Sequence, residues 1–306
     1  MKLAHSLDQS HPVHLGMEYM AERVKELSDG KLQIRIYASG QLGTERECLE
    51  LLQIGSLGMT KVSAALMEGF LPVFRVFSLP YIFANKEHAH AVFDGEIGQE
   101  FLLASEEILL RGLTFYDAGS RSFYTKDRPI LTPEDLRGLK IRVMPSNTSF
   151  TMIRMLGGSP TPISWGELYT ALQGGVVDGA ENNPPSFYLS HHYEVCRYYS
   201  LNEHTTIPDI LVISTIIWNT LTQQEQEWLQ QAATESAAKQ RILWEESELK
   251  SLRAVEAAGV QIFYPDKEPF ARMVEPMYEL YKDHQPTYDM IKRIKALKPQ
   301  IVNNNE

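Results

Sequence analysis

Cysteine is nearly absent from this chain: 306 residues include two, Cys48 and Cys196, and neither has the CxxC or CxxxC neighbour that redox or zinc chemistry uses. Both read as buried or free thiols. Long apolar runs are missing too. The longest candidate, Ile210 to Trp218, is cut short by polar flanks well before the roughly 18 to 20 apolar residues that a membrane span needs. Positive charge is in deficit, with 29 Lys and Arg against 39 Asp and Glu for a net charge of −10, which excludes a binder of nucleic acid or another polyanion. Residues Met1 to His14 lack the basic start and continuous apolar run of a secretory signal, which leaves a cytoplasmic protein or one whose signal has been removed.

What is present is ordinary globular material. Hydrophobic residues make up 43% and charged residues 22%, so disorder and fibrous architecture drop out. The length suggests about two domains, enough chain to shape a cleft between them.

Helix and strand patterns alternate. Val13, Met17, Met20, Val24 and Leu27 draw one helical stripe between Pro12 and Ser28, with Gly30 as its left-handed cap. A period of two then predicts a strand over Lys31 to Tyr37, with Leu32, Ile34 and Ile36 on one face. After the turn Gly40 to Gly43, Thr44 and Glu47 form a capping box for a helix that runs to about Ile54. Strands are expected near Met59 to Ala64, Gly112 to Tyr116, Leu139 to Val143 and Val176 to Ala180, and Glu181 to Pro185 is expected to leave the last as a rigid turn. Ser164 and Glu167 make a second capping box, opening a helix that stops at Gly174-Gly175. From Thr222 to Ala258 there is neither proline nor glycine, which predicts one long helix or two abutting ones with Leu221, Trp228, Leu229, Ile242 and Leu243 as the buried stripe. The whole reads as an α/β fold of helices packed on largely parallel sheets, its two domains interleaved in sequence.

Enzyme signatures fail one by one. The nucleophile elbow GxSxG is absent, as are the phosphate loops GxGxxG and GxxxxGK[ST]. His88 and His90 point to different faces of a helix, His191 and His192 are adjacent, and His11 and His14 have no acid partner in an HExxH pattern, so no metal site is expected. No pair of carboxylates is singled out for catalysis.

One segment carries more specific information. Ser159-Pro160-Thr161-Pro162-Ile163-Ser164-Trp165-Gly166-Glu167-Leu168, continuing through Gly174-Gly175-Val176-Val177-Asp178-Gly179-Ala180-Glu181-Asn182, closely resembles the signature of the solute-binding proteins of TRAP transporters, the dicarboxylate-binding (DctP) family. Gly40-Gln41-Leu42-Gly43, Ser78-Leu79-Pro80-Tyr81 and Asp135-Leu136-Arg137-Gly138-Leu139-Lys140-Ile141-Arg142 support it, and the likeness covers about residues 2 to 290. The resemblance implies a two-lobed, periplasmic binding protein-like fold with a cleft between the lobes and a long helix spanning both. It implies lobe I over 1–118 plus 207–246, lobe II over 119–206 plus 247–300, and a frayed tail over 301–306. It also implies a monomer that hands an organic acid to a membrane permease, in the periplasm or at the outer face of a Gram-positive cell. No catalytic residue, cofactor or metal is expected, and the missing export signal is expected to have been removed.

The family's carboxylate-pairing arginine falls on Arg142, for which a planar, always charged guanidinium fork is the right chemistry. Taken alone, Arg142 reads as an exposed strand residue. A second family arginine falls on Arg121, and the family's amide contact on Asn182. Trp165 occupies an aromatic position beside the substrate, and Glu45 an acidic one that reaches substrate hydroxyls, though an acid near a helix N-terminus is stabilising without any ligand. Ser63, Met144, His11 and Glu68 lie near further contact positions. Two arginines facing one acidic group suit a carboxylate at one end of the ligand and hydroxyls at the other. A hexuronate such as glucuronate or galacturonate fits that polarity better than a C4-dicarboxylate, which Glu45 would repel. The alternatives are a small-carboxylate binder of the same family or an enzyme acting on an acidic metabolite.

Overall fold

Two mixed sheets organise the chain, as a computed structural model that describes residues 1–297 shows. The first sheet is entered by β1 (Lys2–Ala4), β2 (Arg35–Tyr37), β3 (Met59–Ser63) and β4 (Leu110–Tyr116). The second takes β5 (Ser120–Thr125), β6 (Lys140–Val143), β7 (Ser159–Pro162), β8 (Gly179–Asn182) and β9 (Tyr198–Thr206). The chain then returns to the first sheet with β10 (Asp209–Ser214) and to the second with β11 (Gln261–Phe263). Strand orders are β2-β1-β3-β10-β4 and β11-β9-β5-β8-β6-β7.

The expectation of largely parallel sheets holds except at two places with a common cause. In each sheet a single strand, β10 or β5, runs against its neighbours. These are the strands that follow directly from the other sheet, β5 after β4 through Asp117–Gly119 and β10 after β9 through Ile207–Pro208. So short a connection cannot turn the chain round to enter parallel.

The helix Gln223–Ala257 is unbroken, opened by a Thr222–Glu225 capping box, and packs on the helix Pro12–Leu27 and β4 at one end and on the helix Pro184–Leu189 at the other. Its buried face differs from the expected stripe. Leu229, Ala232, Ala233, Ser236, Ala237, Gln240, Trp244, Ser251 and Val255 are inside, whereas Ile242 is 55% exposed. Small side chains let this helix lie close against the helix Pro12–Leu27, β4 and the helix Pro184–Leu189. Gln240 also clasps the first crossover, accepting from Asp117 N at 2.9 Å and donating to Asp117 O at 2.8 Å.

Other local departures have simple causes. The strand expected over Lys31 to Tyr37 is paired only from Arg35. Pro184 and Pro185 do not prolong a turn after β8; they occupy the first helical positions behind the Asn183 cap, where proline's missing N–H costs nothing. Both cysteines are buried and free, each thiol pushed up by burial, Cys48 to about 11 and Cys196 to about 12. The core beside the first sheet holds an aromatic cluster in which the rings of Phe77 and Phe101 lie 4.5 Å apart. Phe187, 4.6 Å from both Tyr124 and Tyr199, centres the core of the second. Helix Gln285–Ala296 returns to the first sheet's side and packs against Pro72–Ser78 and Glu96–Ala104. The tail expected to fray over 301–306 lies outside the described residues.

Candidate functional site

The carboxyl ends of the parallel strands of both sheets face one another, the usual place for a ligand in open α/β sheets. A cavity of about 230 Å³ lies between them. Arg121, Arg142, Met144, Trp165 and Asn182 line it from one side, and His11, Glu45 and Ser63 from the other. Eight of the nine residues singled out from the sequence are thereby brought together. Glu68, the ninth, is not among the lining residues. Its buried carboxylate accepts from Ser146 Oγ at 2.7 Å and from Thr148 N at 3.2 Å, capping the helix Asn147–Met155 from across the cleft. That helix end holds Glu68 away from the cavity.

The two arginines are not equivalent. Arg121 is committed: Nε lies 2.5 Å from Glu181 Oε2, Nη2 donates to Glu181 Oε1 at 2.9 Å and to its carbonyl at 2.8 Å, and Nη1 donates to Asn182 Oδ1 at 2.7 Å. Burial works against its charge, but Glu181 outweighs burial and the guanidinium is held above its ordinary range. Burial likewise opposes the Glu181 carboxylate, which Arg121 and His204 nevertheless pull down to about 2.

Arg142, 2% exposed, donates Nε to Ile163 O at 2.8 Å, while its Nη1 is buried with no partner among the described residues. Burial pulls it down to about 10, so the cation persists at neutral pH. Its guanidinium stands 6.0 Å from the centre of the Trp165 ring, a contact at the outer limit of cation–π reach. A buried guanidinium with an idle donor has the chemistry to pair with an anion, because an ionised group out of water is costly until it is paired. Nothing about Arg142 is exposed, as an isolated strand arginine would be.

The opposite wall holds a group that sequence reasoning missed. Lys61 on β3 reaches Glu45 Oε1 at 2.7 Å and Asp209 Oδ1 at 3.2 Å. Its charge is opposed by burial but upheld by Asp209 and Glu45, and the net direction is upward. Asp209 is driven upward by burial in spite of Lys61. Ser63 N lies 3.4 Å from Glu45 Oε2. His11 Nδ1 accepts from Val13 N at 3.3 Å, which leaves its Nε2 to face Ser186 Oγ at 3.3 Å; burial, then Lys61, hold the ring neutral far below its ordinary range. Trp244, from the long helix, lines the cavity with its indole Nε1 buried and unbonded. Asn183 and Ser186, which follow β8, also line the cavity, on the side of Asn182.

Among the described residues, no three His, Cys, Asp or Glu side chains are grouped to hold a metal ion. The chemistry on offer is one buried cation with an idle donor, the Asn182 and Asn183 amides on its own side, carboxylates opposite it, and two indoles.

A family model described as bacterial extracellular solute-binding protein, family 7, matches residues 3–284. A solute-binding protein of Chromohalobacter salexigens is 36% identical over 92% of this chain and 84% of its own length. Two solved structures superpose closely. A TRAP periplasmic solute-binding protein from Bradyrhizobium sp. BTAi1, in complex with α/β-D-galacturonate, gives a TM-score of 0.95 at 38% identity, covering 97% of this chain and 99% of the other. One from Chromohalobacter salexigens with bound D-glucuronate gives 0.94 at 34% identity, covering 96% and 98%.

Proposed function

The chain belongs to family 7 of the bacterial extracellular solute-binding proteins, the solute-capturing components of TRAP transporters, and from that premise we propose that its own solute is a hexuronate, D-glucuronate or D-galacturonate. The observation that carries this reading is the idle Nη1 of buried Arg142 facing, across one small cavity, the carboxylates of Glu45 and Asp209. A carboxylate at the arginine and hydroxyl donors at the acids satisfy both ends at once. The hexuronates bound by proteins that superpose on nearly the whole chain have that polarity. The cavity volume, about 230 Å³, is below the roughly 300–1,000 Å³ of drug-sized pockets and suits a single sugar ring.

In this reading the protein works outside the cytoplasmic membrane as a monomer, leaves its ligand chemically unchanged, and presents it to the permease. The lobes follow the sheets: 1–118 and 207–246 form the first, and 119–206 with 247–284 the second. Helix Gln285–Ala296 belongs with the first lobe, on which it packs. The lobes close about the two crossovers, the first of which Gln240 clasps.

Titration calorimetry with D-glucuronate, D-galacturonate and succinate tests the reading. One hexuronate should bind far more tightly than succinate, be recovered unaltered, and stabilise the fold by RT ln(1 + [L]/Kd), which raises the melting temperature. Arg142→Ala should weaken it by roughly tenfold to a few hundredfold, the worth of a charge-assisted contact of about 1.5–3 kcal/mol or somewhat more. Binding of succinate in preference, or full affinity without Arg142, would overturn it.

A further inference from the structure

Six charged side chains alternate in sign across the cleft. Glu45, Lys61 and Asp209 stand on the first-sheet side, and Arg121, Glu181 and Arg142 on the second. As ionised groups, three cations and three anions sum to zero; Arg46, which also lines the cavity, is 63% exposed with its Nε 3.0 Å from Glu50 Oε1. Within the series, Arg121 is matched by Glu181, and Lys61 by two acids at once.

The lysine therefore sits between two carboxylates and exposes neither charge alone. It engages Glu45 through Oε1 and Asp209 through Oδ1. Glu45 Oε2 is left with only the 3.4 Å approach of Ser63 N, and Asp209 Oδ2 makes no hydrogen bond among the described residues. Ionised carboxylate oxygens only accept, so what they recognise is a donor such as a sugar hydroxyl. A second ligand carboxylate would bring acceptors to acceptors and add a charge that no idle buried cation at that end balances.

We propose that Lys61 and Asp209, acting with Glu45, determine specificity at the far end of the cavity: a charge-balanced, acceptor-rich subsite that takes the hydroxyl-bearing end of a monocarboxylate sugar and rejects a second carboxylate. The inference rests on the reading that a hexuronate lies with its carboxylate at Arg142. It extends that reading to residues that lie 148 positions apart and meet only because β10 pairs with β3, with Asp209 opposite Ser63.

Aldarates test it, since D-glucarate and galactarate carry a second carboxylate in place of C1 of the corresponding hexuronates. By calorimetry, the native protein should prefer the hexuronate by at least about tenfold. Asp209→Asn removes one negative charge beside Lys61 and should shrink that preference by about tenfold or more, chiefly through gained aldarate affinity. Glu45→Gln changes the balance by the same amount and should move the ratio the same way, which decides the matter if Asp209→Asn does not fold. Equal binding of hexuronate and aldarate by the native protein, or an unmoved ratio in the variants that fold, overturns the inference while leaving the hexuronate reading intact. If the native protein binds neither ligand, the hexuronate reading falls and takes the inference with it.

Discussion

Arg121 and Glu181 are locked together inside the cleft, with Nε 2.5 Å from Oε2, Nη2 2.9 Å from Oε1, and both side chains less than a tenth exposed. Two arginines line one cavity, but this pairing makes their work different. Arg121 is spent on the protein, whereas Arg142 keeps a donor with nothing to hold. Truncating the two should therefore have opposite consequences for the ligand-free fold.

Arg121→Met leaves Glu181 buried without its cation, and breaking such a pair typically costs about 3–5 kcal/mol. The urea midpoint should fall steeply. Arg142→Met removes a desolvated charge held by one hydrogen bond to Ile163 O and should leave the ligand-free midpoint unchanged or higher. Equal destabilisation by both substitutions would mean that Arg142 is as structurally committed as Arg121.

Acid should destabilise the fold from near neutrality. Burial, with Lys61 second, pulls His5 down to about 3, and burial, with Arg142 second, does the same to His192. In the unfolded chain each titrates near its ordinary 6.5. Between those values the unfolded state binds protons that the folded state refuses. Stability is thus complete above about pH 6.5 and is lost as pH falls toward 3, at up to about 1.4 kcal/mol per pH unit for each histidine. Glu181, ordinarily 4.5 and held at about 2, adds a loss over that lower window. Asp209 and Glu248, which burial pushes upward, work in the opposite sense at the acid end. Urea midpoints measured from pH 7.5 to pH 4 should fall continuously below about 6.5, and a rise on acidification through that range would contradict the neutral burial of His5 and His192.

Much of this was legible in the sequence where the signal is local. The stripe of Val13, Met17, Met20 and Val24 is the buried face of the helix Pro12–Leu27, and the Thr44–Glu47 box caps the helix that follows. Arg142, Asn182 and Trp165 were legible only through a resemblance, because one arginine in a strand gives no sign that its guanidinium ends up out of solvent with a donor idle. Lys61 and Asp209 left no trace for a similar reason: a lysine in Met59–Ser63 is ordinary until β10 is paired beside it. The buried face of the long helix was hidden by composition, since Ala, Ser and Gln carry no hydrophobic signal and Ile242 carries a false one. Glu68 shows the converse. Its position suggested the ligand, but the nearer backbone N–H of Thr148 and the hydroxyl of Ser146 claim its carboxylate.

Trp244 offers the last test. Its side chain is fully buried and lines the cavity, its ring lies 5.8 Å from that of His11, and its Nε1–H has no acceptor among the described residues. Gly119, at φ +57 in the first crossover, is placed so that a Cβ there would come within 2.9 Å of the same nitrogen, so the indole is wedged between hinge and site. An N–H buried without a partner costs about 1–3 kcal/mol, and a ligand hydroxyl or ring oxygen in the cavity would relieve that cost on binding. Trp244→Phe keeps most of the packing surface and removes the donor. Hexuronate affinity should then fall roughly twofold to tenfold, the net worth of one neutral hydrogen bond. The ligand-free melting temperature should fall less than for a deletion such as Trp244→Ala, because the lost N–H was contributing nothing to the empty protein. If Trp244→Phe binds hexuronate at full strength, the indole is a wall of the cavity and not a reader of the sugar, and ligand recognition belongs to Arg142 and the carboxylates across from it alone.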